Sequence, residues 1–262
     1  MGIESIAGAF ARAKAEGRPA LMPYWPLGFP DTERSLEVVE AIAKAGADMM
    51  ELGVPFSDPL ADGIVIQRAT QIALANGATV AGCVAIAGRA RAAGITTPFL
   101  AMGYLNPLLA RGEVAYAADW RAAGADGLIV PDLPPEECET LRGACDANGL
   151  ALVQFVAPTS TDARMALAAR AASGFIYVVQ VTGVTGARTE LAAGLRGYVA
   201  RVRAQAGSTP IVVGFGVSTA AHVREIGRFA DGVIVASALI RAAGDAADPA
   251  AAAYAFVKAL RE

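Results

Sequence analysis

Short apolar runs alternate with longer amphipathic stretches over the whole chain. The runs are Ala20–Tyr24, Asp48–Leu52, Phe99–Tyr104, Gly127–Val130, Leu150–Val156, Phe175–Val179, Ile211–Gly214 and Gly232–Ala236. They are rich in Val, Ile, Leu and Phe and mostly lack period-2 alternation. Strands buried on both faces have this pattern, because neither face is turned to water. The stretches between them carry helical signals. Asp31-Thr32 predicts a helix start, Leu36, Val39, Ile42 and Ala43 recur at helical spacing, and Gly46 marks the stop.

One junction recurs. Ala45-Gly46-Ala47-Asp48 and Ala123-Gly124-Ala125-Asp126 both read as helix stop, turn and strand start, and Phe229-Ala230-Asp231-Gly232 is a weaker third copy. Its repetition implies repeated strand–helix units. Eight strands with helices between them, in 262 residues, predict the α/β class and a closed (β/α)₈ TIM barrel. A doubly wound open sheet is the competing architecture. Against it, Gly and Pro cluster after strand ends, at Gly28, Pro55, Asn106-Pro107, Pro134-Pro135, Gly183 and Gly216. No complete dinucleotide or P-loop motif follows the first strand. The stretch Ile3–Glu16 is then an extra N-terminal helix across the barrel bottom. No linker divides the chain, so residues 1–262 read as one domain.

Apolar residues make up 55% of the chain and charged residues 18%, enough for a large core, and the net charge of -3 leaves no basic footprint for nucleic acid. Cys83, Cys138 and Cys145 are odd in number and form no C-x-x-C pair, which fits a reduced protein better than a disulfide or zinc framework. The first residues lack the basic start and apolar core of a signal peptide, and no apolar run reaches the ~18 residues of a membrane span. A cytoplasmic chain with no membrane role is the expectation.

In such a barrel the chemistry belongs at the C-terminal ends of the strands. Glu51 closes the second apolar run, where burial would raise its pKa into a range useful for proton transfer. An outward Glu paired with a helix cation is the plainer alternative. The following connection, Val54–Gly63, is long for such a loop and carries Asp58 and Asp62. Asp58, before Pro59, suits a turn cap. Asp62 could return over the barrel mouth and set a second carboxylate on one substrate. Gly214-Phe215-Gly216 after the seventh strand and Ala236-Ser237 after the eighth suit a phosphate, which barrels often hold between those loops. The segment Thr182–Arg188, with Gly183 and Gly186, reads as a lid or as a plain flexible turn. His222, the sole histidine, sits on the helix after the seventh strand and reads as a surface side chain. Lys14, Lys44 and Lys258 lie away from strand ends, which disfavours Schiff-base chemistry.

The run Glu51-Leu52-Gly53-Val54-Pro55-Phe56-Ser57-Asp58-Pro59-Leu60-Ala61-Asp62-Gly63 resembles the signature of the tryptophan synthase α subunit family. Gly183-Val184-Thr185-Gly186, Gly214-Phe215-Gly216 and the spacing over essentially the whole chain extend the resemblance. It implies a lyase that cleaves indole-3-glycerol phosphate to indole and glyceraldehyde 3-phosphate by a retro-aldol step. By position, Glu51 would move protons and Asp62 would accept a hydrogen bond from the indole N–H. Thr185 would hold Asp62 under the lid. Tyr24, Met102, Tyr104, Ile129 and Tyr177 would wall the indole pocket. Gly186, Gly214, Phe215, Gly216, Ala236 and Ser237 would hold the phosphate. The resemblance implies no cofactor in this chain, a pyridoxal-phosphate-dependent β subunit as partner, and an α₂β₂ assembly. The loops after Glu51, after Tyr104 and around Asp132 would make the contact.

Some positions depart from the family's commonest pattern: Pro26 and Phe29 where Thr and Asp are usual, Ile64 and Val65 where Pro and often Thr are usual, Gln180 and Val181 before the lid, and Ala236 in place of Gly. The Ala236 methyl would weaken phosphate binding if its backbone needed a positive φ. A stand-alone indole-releasing lyase, a mainly regulatory subunit and another phosphosugar enzyme are the alternative functions.

Overall fold

The computed structural model of the chain describes residues 2–179, 191–214 and 216–262, with only the backbone at 191–193. Within them the elements are α1 (Ile3–Ala15), β1 (Ala20–Pro26), α2 (Thr32–Lys44), β2 (Met50–Gly53), α3 (Ile64–Ala75), α4 (Val80–Ala92), β3 (Phe99–Met102), α5 (Leu105–Arg111), α6 (Glu113–Ala122) and β4 (Gly127–Ile129). They continue with α7 (Glu139–Asn148), β5 (Ala151–Val156), α8 (Asp162–Ala171), β6 (Ile176–Val179), α9 (Leu191–Ala206), β7 (Ile211–Gly214), α10 (Ala220–Ile226), β8 (Gly232–Val235), α11 (Ser237–Ala243) and α12 (Pro249–Arg261). All eight strands pair in parallel in chain order, and β8 closes on β1, so the sheet is a complete barrel. This is the expected closed barrel, and the competing open sheet is excluded. Most strands are shorter than the apolar runs. The run ending at Tyr104 stops pairing at Met102, and Tyr104 instead precedes α5 as its N-cap residue.

Parity sorts each strand into two faces. Met22, Met49, Leu100, Ile129, Val153, Tyr177, Val212 and Ile234 share one buried cluster, the barrel interior. Their neighbours Leu21, Met50, Leu52, Ala101, Leu128, Leu152, Val213 and Val233 belong to the other, between barrel and helices. α1 supplies Ile6, Ala9, Phe10 and Ala13 to the interior cluster, and Phe10 meets Phe175 edge-on at 6.0 Å. The extra N-terminal helix therefore plugs the bottom. α2 begins as its sequence requires, with Asp31 accepting from the Arg34 N–H at 2.9 Å, and Gly46 follows at φ 94, which glycine adopts without strain.

The repeated junction has a physical task. Asp48, Asp126 and Asp231 each clamp an early residue of the preceding strand in sequence at two points. Their backbone N–H groups donate to the carbonyls of Leu21, Phe99 and Ile211 at 2.9, 2.8 and 2.9 Å. Their carboxylates accept from the N–H groups of the same three residues at 2.8, 3.0 and 2.7 Å. An arginine completes each clamp: Arg18, Arg91 and Arg203. In the second, Arg91 also lies 3.7 Å over the Phe99 ring, and Asp126 accepts from Gly2 N at 2.6 Å. The third copy, the weakest in sequence, is complete in space.

Asp126→Ala leaves the Arg91 charge and the Phe99 N–H without their partner, so it should cost roughly 3–5 kcal/mol in urea unfolding. Asp245→Ala, at an exposed pair with Arg68, should cost less than about 1 kcal/mol. Equal losses would show that the clamps carry no special share of the stability.

Candidate active site

The strands end around one cavity of about 840 Å³, within the range of small-molecule sites. Parity decides what lines it. Each strand line contributes the residue two beyond an interior core residue. From β1 to β4 these are Tyr24, Glu51, Met102 and Pro131, and from β5 to β8 they are Phe155, Val179, Gly214 and Ala236. The rule follows from the two-residue repeat of a strand.

Glu51 is 1% exposed, and its Oε1 has no hydrogen-bond partner among the described residues. Burial first, and the nearby Asp62 second, hold its pKa well above the usual carboxylate range. The outward reading with a helix cation is thereby replaced. Tyr24 pairs with Glu51 in the β1–β2 register, and its hydroxyl lies against Gly53, where a Cβ would come within 2.2 Å of it. Gly214 makes the same room for the Tyr177 hydroxyl, 2.4 Å from a Cβ there. The two glycines therefore let tyrosine rings fold across the strand ends. Tyr177 also stacks on Phe155 at 4.7 Å.

The loop after β2 brings Asp62 to the same cavity. Val54 N–H donates to the Met102 carbonyl at 2.7 Å, and Gln67 and Gln71 hold the carbonyls of Asp62 and Ser57 from α3. Burial pushes the Asp62 pKa up to about 6, and a hydrogen bond from Tyr104 works against that rise. Asp58 accepts from the Ser57 hydroxyl and faces an outer recess of about 430 Å³, and among the described residues its carboxylate caps no backbone N–H.

Gly216, Ala236 and Ser237 line the same cavity from the ends of β7 and β8. Among the described residues no side chain caps the start of α11, which leaves its first amide groups open to an acceptor. Ala236 has φ -119, outside the left-handed region, so its methyl causes no backbone strain. Phe29 is buried, packs its ring at a tilt against Trp25 at 5.6 Å, and its carbonyl accepts the Trp25 indole N–H at 3.0 Å. Pro26, at the end of β1, pairs with Gly53. Val65 is half-buried against the core, while Ile64 is 81% exposed on the first turn of α3.

Three positions differ from expectation. Ile129 is fully buried one layer down, and Pro131, two residues on, takes its place in the wall. Tyr104 turns its ring to the outer recess and to Phe56, 5.4 Å away, because the strand has ended before it. His222 is half-buried and lines the cavity together with Glu225 and Ile226 of the same helix, with Nδ1 3.5 Å from Ser218 Oγ. Thr185, Gly186, Phe215 and the segment Thr182–Arg188 lie outside the described residues, as do Gln180 and Val181. Sequence reasoning missed Pro131, Phe155 and Val179, although counting two onward from each interior residue finds all three. Ser160, Arg164 and Arg241 reach the cavity from loops and helices, where no periodicity marks them.

A family model described as tryptophan synthase alpha chain matches residues 10–262. The tryptophan synthase alpha chain of Roseiflexus sp. (strain RS-1) is 53% identical over 258 residues, which cover 98% of each chain. Among solved structures, tryptophan synthase subunit alpha from Legionella pneumophila str. Paris is similar with a TM-score of 0.91 at 34% identity, over 100% of this chain and 97% of that one. Tryptophan synthase from M. tuberculosis in its aminoacrylate-bound form is similar with a TM-score of 0.88 at 35% identity, over 98% and 97%.

Because the folded-state pKa of Glu51 is raised, its burial costs stability once the unfolded carboxyl ionises, above about pH 4.3. Below that pH both states are protonated and the cost is absent. Glu51→Gln should therefore raise stability near pH 7, on the order of 1 kcal/mol, as relieving a functional site commonly does. The gain should shrink toward zero near pH 4. Urea unfolding at the two pH values checks it, and a gain of the same size at both would exclude charge burial as its cause.

Proposed function

The chain belongs to the tryptophan synthase α chain family, and on that premise we propose how its residues carry out the family's reaction. The reaction is the lyase half-reaction of tryptophan biosynthesis: indole-3-glycerol phosphate is split into indole and glyceraldehyde 3-phosphate. The observation that carries the assignment of roles is two raised carboxyls, Glu51 and Asp62, in one cavity that Gly216 and the opening of α11 also line.

The bond to break joins the indole C3 to the glycerol carbon that bears a hydroxyl. Protonation at C3 turns the ring into an indolenine-like cation. Loss of the hydroxyl proton then lets the C–C bond electrons return to the ring as an aldehyde forms. Glu51, with a pKa raised by burial, serves both proton movements: as acid toward C3 and as base toward the hydroxyl. Asp62 in its ionised form accepts the ring N–H and stabilises the cation. Tyr24, Met102 and Tyr177 pack the indole ring. Backbone groups at Gly214, Gly216 and Ala236, with Ser237, hold the phosphate. Outside the described residues, Gly186 and Phe215 are assigned to the same group, and Thr185 is assigned to hold Asp62 when substrate is bound.

The partner is the tryptophan synthase β subunit, in an α₂β₂ assembly. The recess formed by Phe56, Leu60, Leu105 and Asp132 is the face for it, and Leu60 is 93% exposed there. This reading assigns no cofactor to the chain itself and leaves pyridoxal phosphate to the β subunit. Residues 1–262 act as one barrel domain in the cytoplasm. No single helix among the described residues is long and apolar enough to cross a membrane.

Glu51→Gln and Asp62→Asn should each slow indole release by at least ~10²-fold while the chain stays folded, the usual scale for a positioned acid–base group. Near-normal release by either variant removes that residue from its role. Ser237→Asp should raise KM, since a carboxylate there repels the phosphate, and an unchanged KM moves the phosphate elsewhere. Release by the parent chain should rise when the β subunit is added. A fast rate indifferent to β would point to a stand-alone lyase.

A further inference from the structure

Tyr104 has two surfaces with different neighbours. Its ring packs on Phe56 and faces the outer recess, while its hydroxyl points to the catalytic loop. That hydroxyl is engaged twice. It accepts the Ala61 N–H at 3.0 Å and donates to Asp62 Oδ2 at 3.0 Å. Ala61 and Asp62 are consecutive, so one oxygen holds both the loop backbone and the carboxylate it carries. The amide occupies a lone pair and leaves the hydroxyl proton for Asp62, which sets the direction of the bond.

Among the described residues no other group duplicates this contact. Glu51 from β2, Tyr24 from β1 and Tyr177 from β6 are the titratable groups that sense it. Among the described residues, Tyr104 supplies the one side-chain hydrogen bond to the Asp62 carboxylate, and no cation pairs with it. A half-buried carboxylate beside a second carboxyl is driven toward its neutral form. Neutral Asp62 could not stabilise a cationic ring. A donor aimed at it from the pocket's outer side counters that drive without taking the place of the substrate's N–H, because the carboxylate has several acceptor sites.

The geometry points to Tyr104 as a positioning residue of the cleavage reaction, one that keeps Asp62 ionised and aimed into the cavity through a single hydrogen bond. It rests on the role proposed for Asp62. Tyr104 itself acts through that carboxylate, with its ring outside the cavity wall.

Tyr104→Phe removes only the hydroxyl and retains the ring against Phe56. In the variant, kcat/KM for indole-3-glycerol phosphate should fall by ~10-fold or more near pH 6 and recover to within ~3-fold of the parent near pH 9, the pattern of an acidic limb moved to higher pH. The Asp62 carboxyl, followed by its carbon NMR shift in the free protein, should titrate at higher pH than in the parent. In an Asp62→Asn background, Tyr104→Phe should have no further effect on the rate. A loss equal at every pH, or one that persists in the Asp62→Asn background, would mean that Tyr104 only supports packing, and would overturn the proposal. A near-normal rate for Asp62→Asn alone is a different failure: it removes Asp62 from the reaction and this role of Tyr104 with it.

Discussion

Closure of the parallel sheet is the constraint from which the site follows. Once β8 pairs with β1, every strand has neighbours on both sides, and no edge carries unpaired backbone groups. The barrel interior then has nowhere to place a polar side chain except near its ends. One end is stopped by α1, with Ile6 and Phe10 pressed into the interior cluster. The other remains the one concave place where eight strand lines converge. Chemistry collects there because the closed sheet leaves no alternative of comparable enclosure.

The two ends treat charge in opposite ways. At the bottom, Asp48, Asp126 and Asp231 are buried or half-buried but fully engaged, each by an arginine and a strand N–H. Their desolvation is offset by short bonds, and they join consecutive strand lines into one frame. At the top, among the described residues, Glu51 is buried with an oxygen unpartnered and Asp62 has one hydroxyl donor. Satisfied carboxylates are inert, while unsatisfied ones can exchange protons with a substrate. The stable end thus holds the strands against which the less comfortable end is positioned.

Burial also separates the two top carboxyls. Glu51 lies at the end of β2, where desolvation dominates and the neutral acid is favoured. Asp62 stands on a loop, half-buried, with a donor from Tyr104 that draws its pKa back from the rise that burial causes. Burial therefore favours the neutral acid more strongly at Glu51 than at Asp62, the direction that a reaction needing both an acid and an anion requires. The separation depends on where each backbone runs, one on a strand inside the barrel and one on a loop over it.

Much of this was legible in the residues. The apolar runs, the repeated Ala-Asp junction and the glycines after strand ends determined eight strands, their helices and the barrel class, because a strand buried on both faces has a composition that few other elements share. The contiguous run from Glu51 to Gly63 carried the two carboxylates and the family. Parity along each strand even contained the cavity wall, including Pro131, Phe155 and Val179, since a two-residue repeat is a local property. What the tertiary structure alone decided was set by where chain segments distant in sequence meet. Tyr104 reads as one more wall residue until β3 stops at Met102 and the ring turns outward, leaving its hydroxyl against a loop some forty residues earlier in the chain. His222 reads as a surface side chain until the fold sets α10 along the cavity. Ala236 reads as a hindrance until its backbone is found at negative φ. No local pattern encodes these outcomes, because hydrogen-bond partners, helix tilt and loop dihedrals are settled by packing between segments rather than along them.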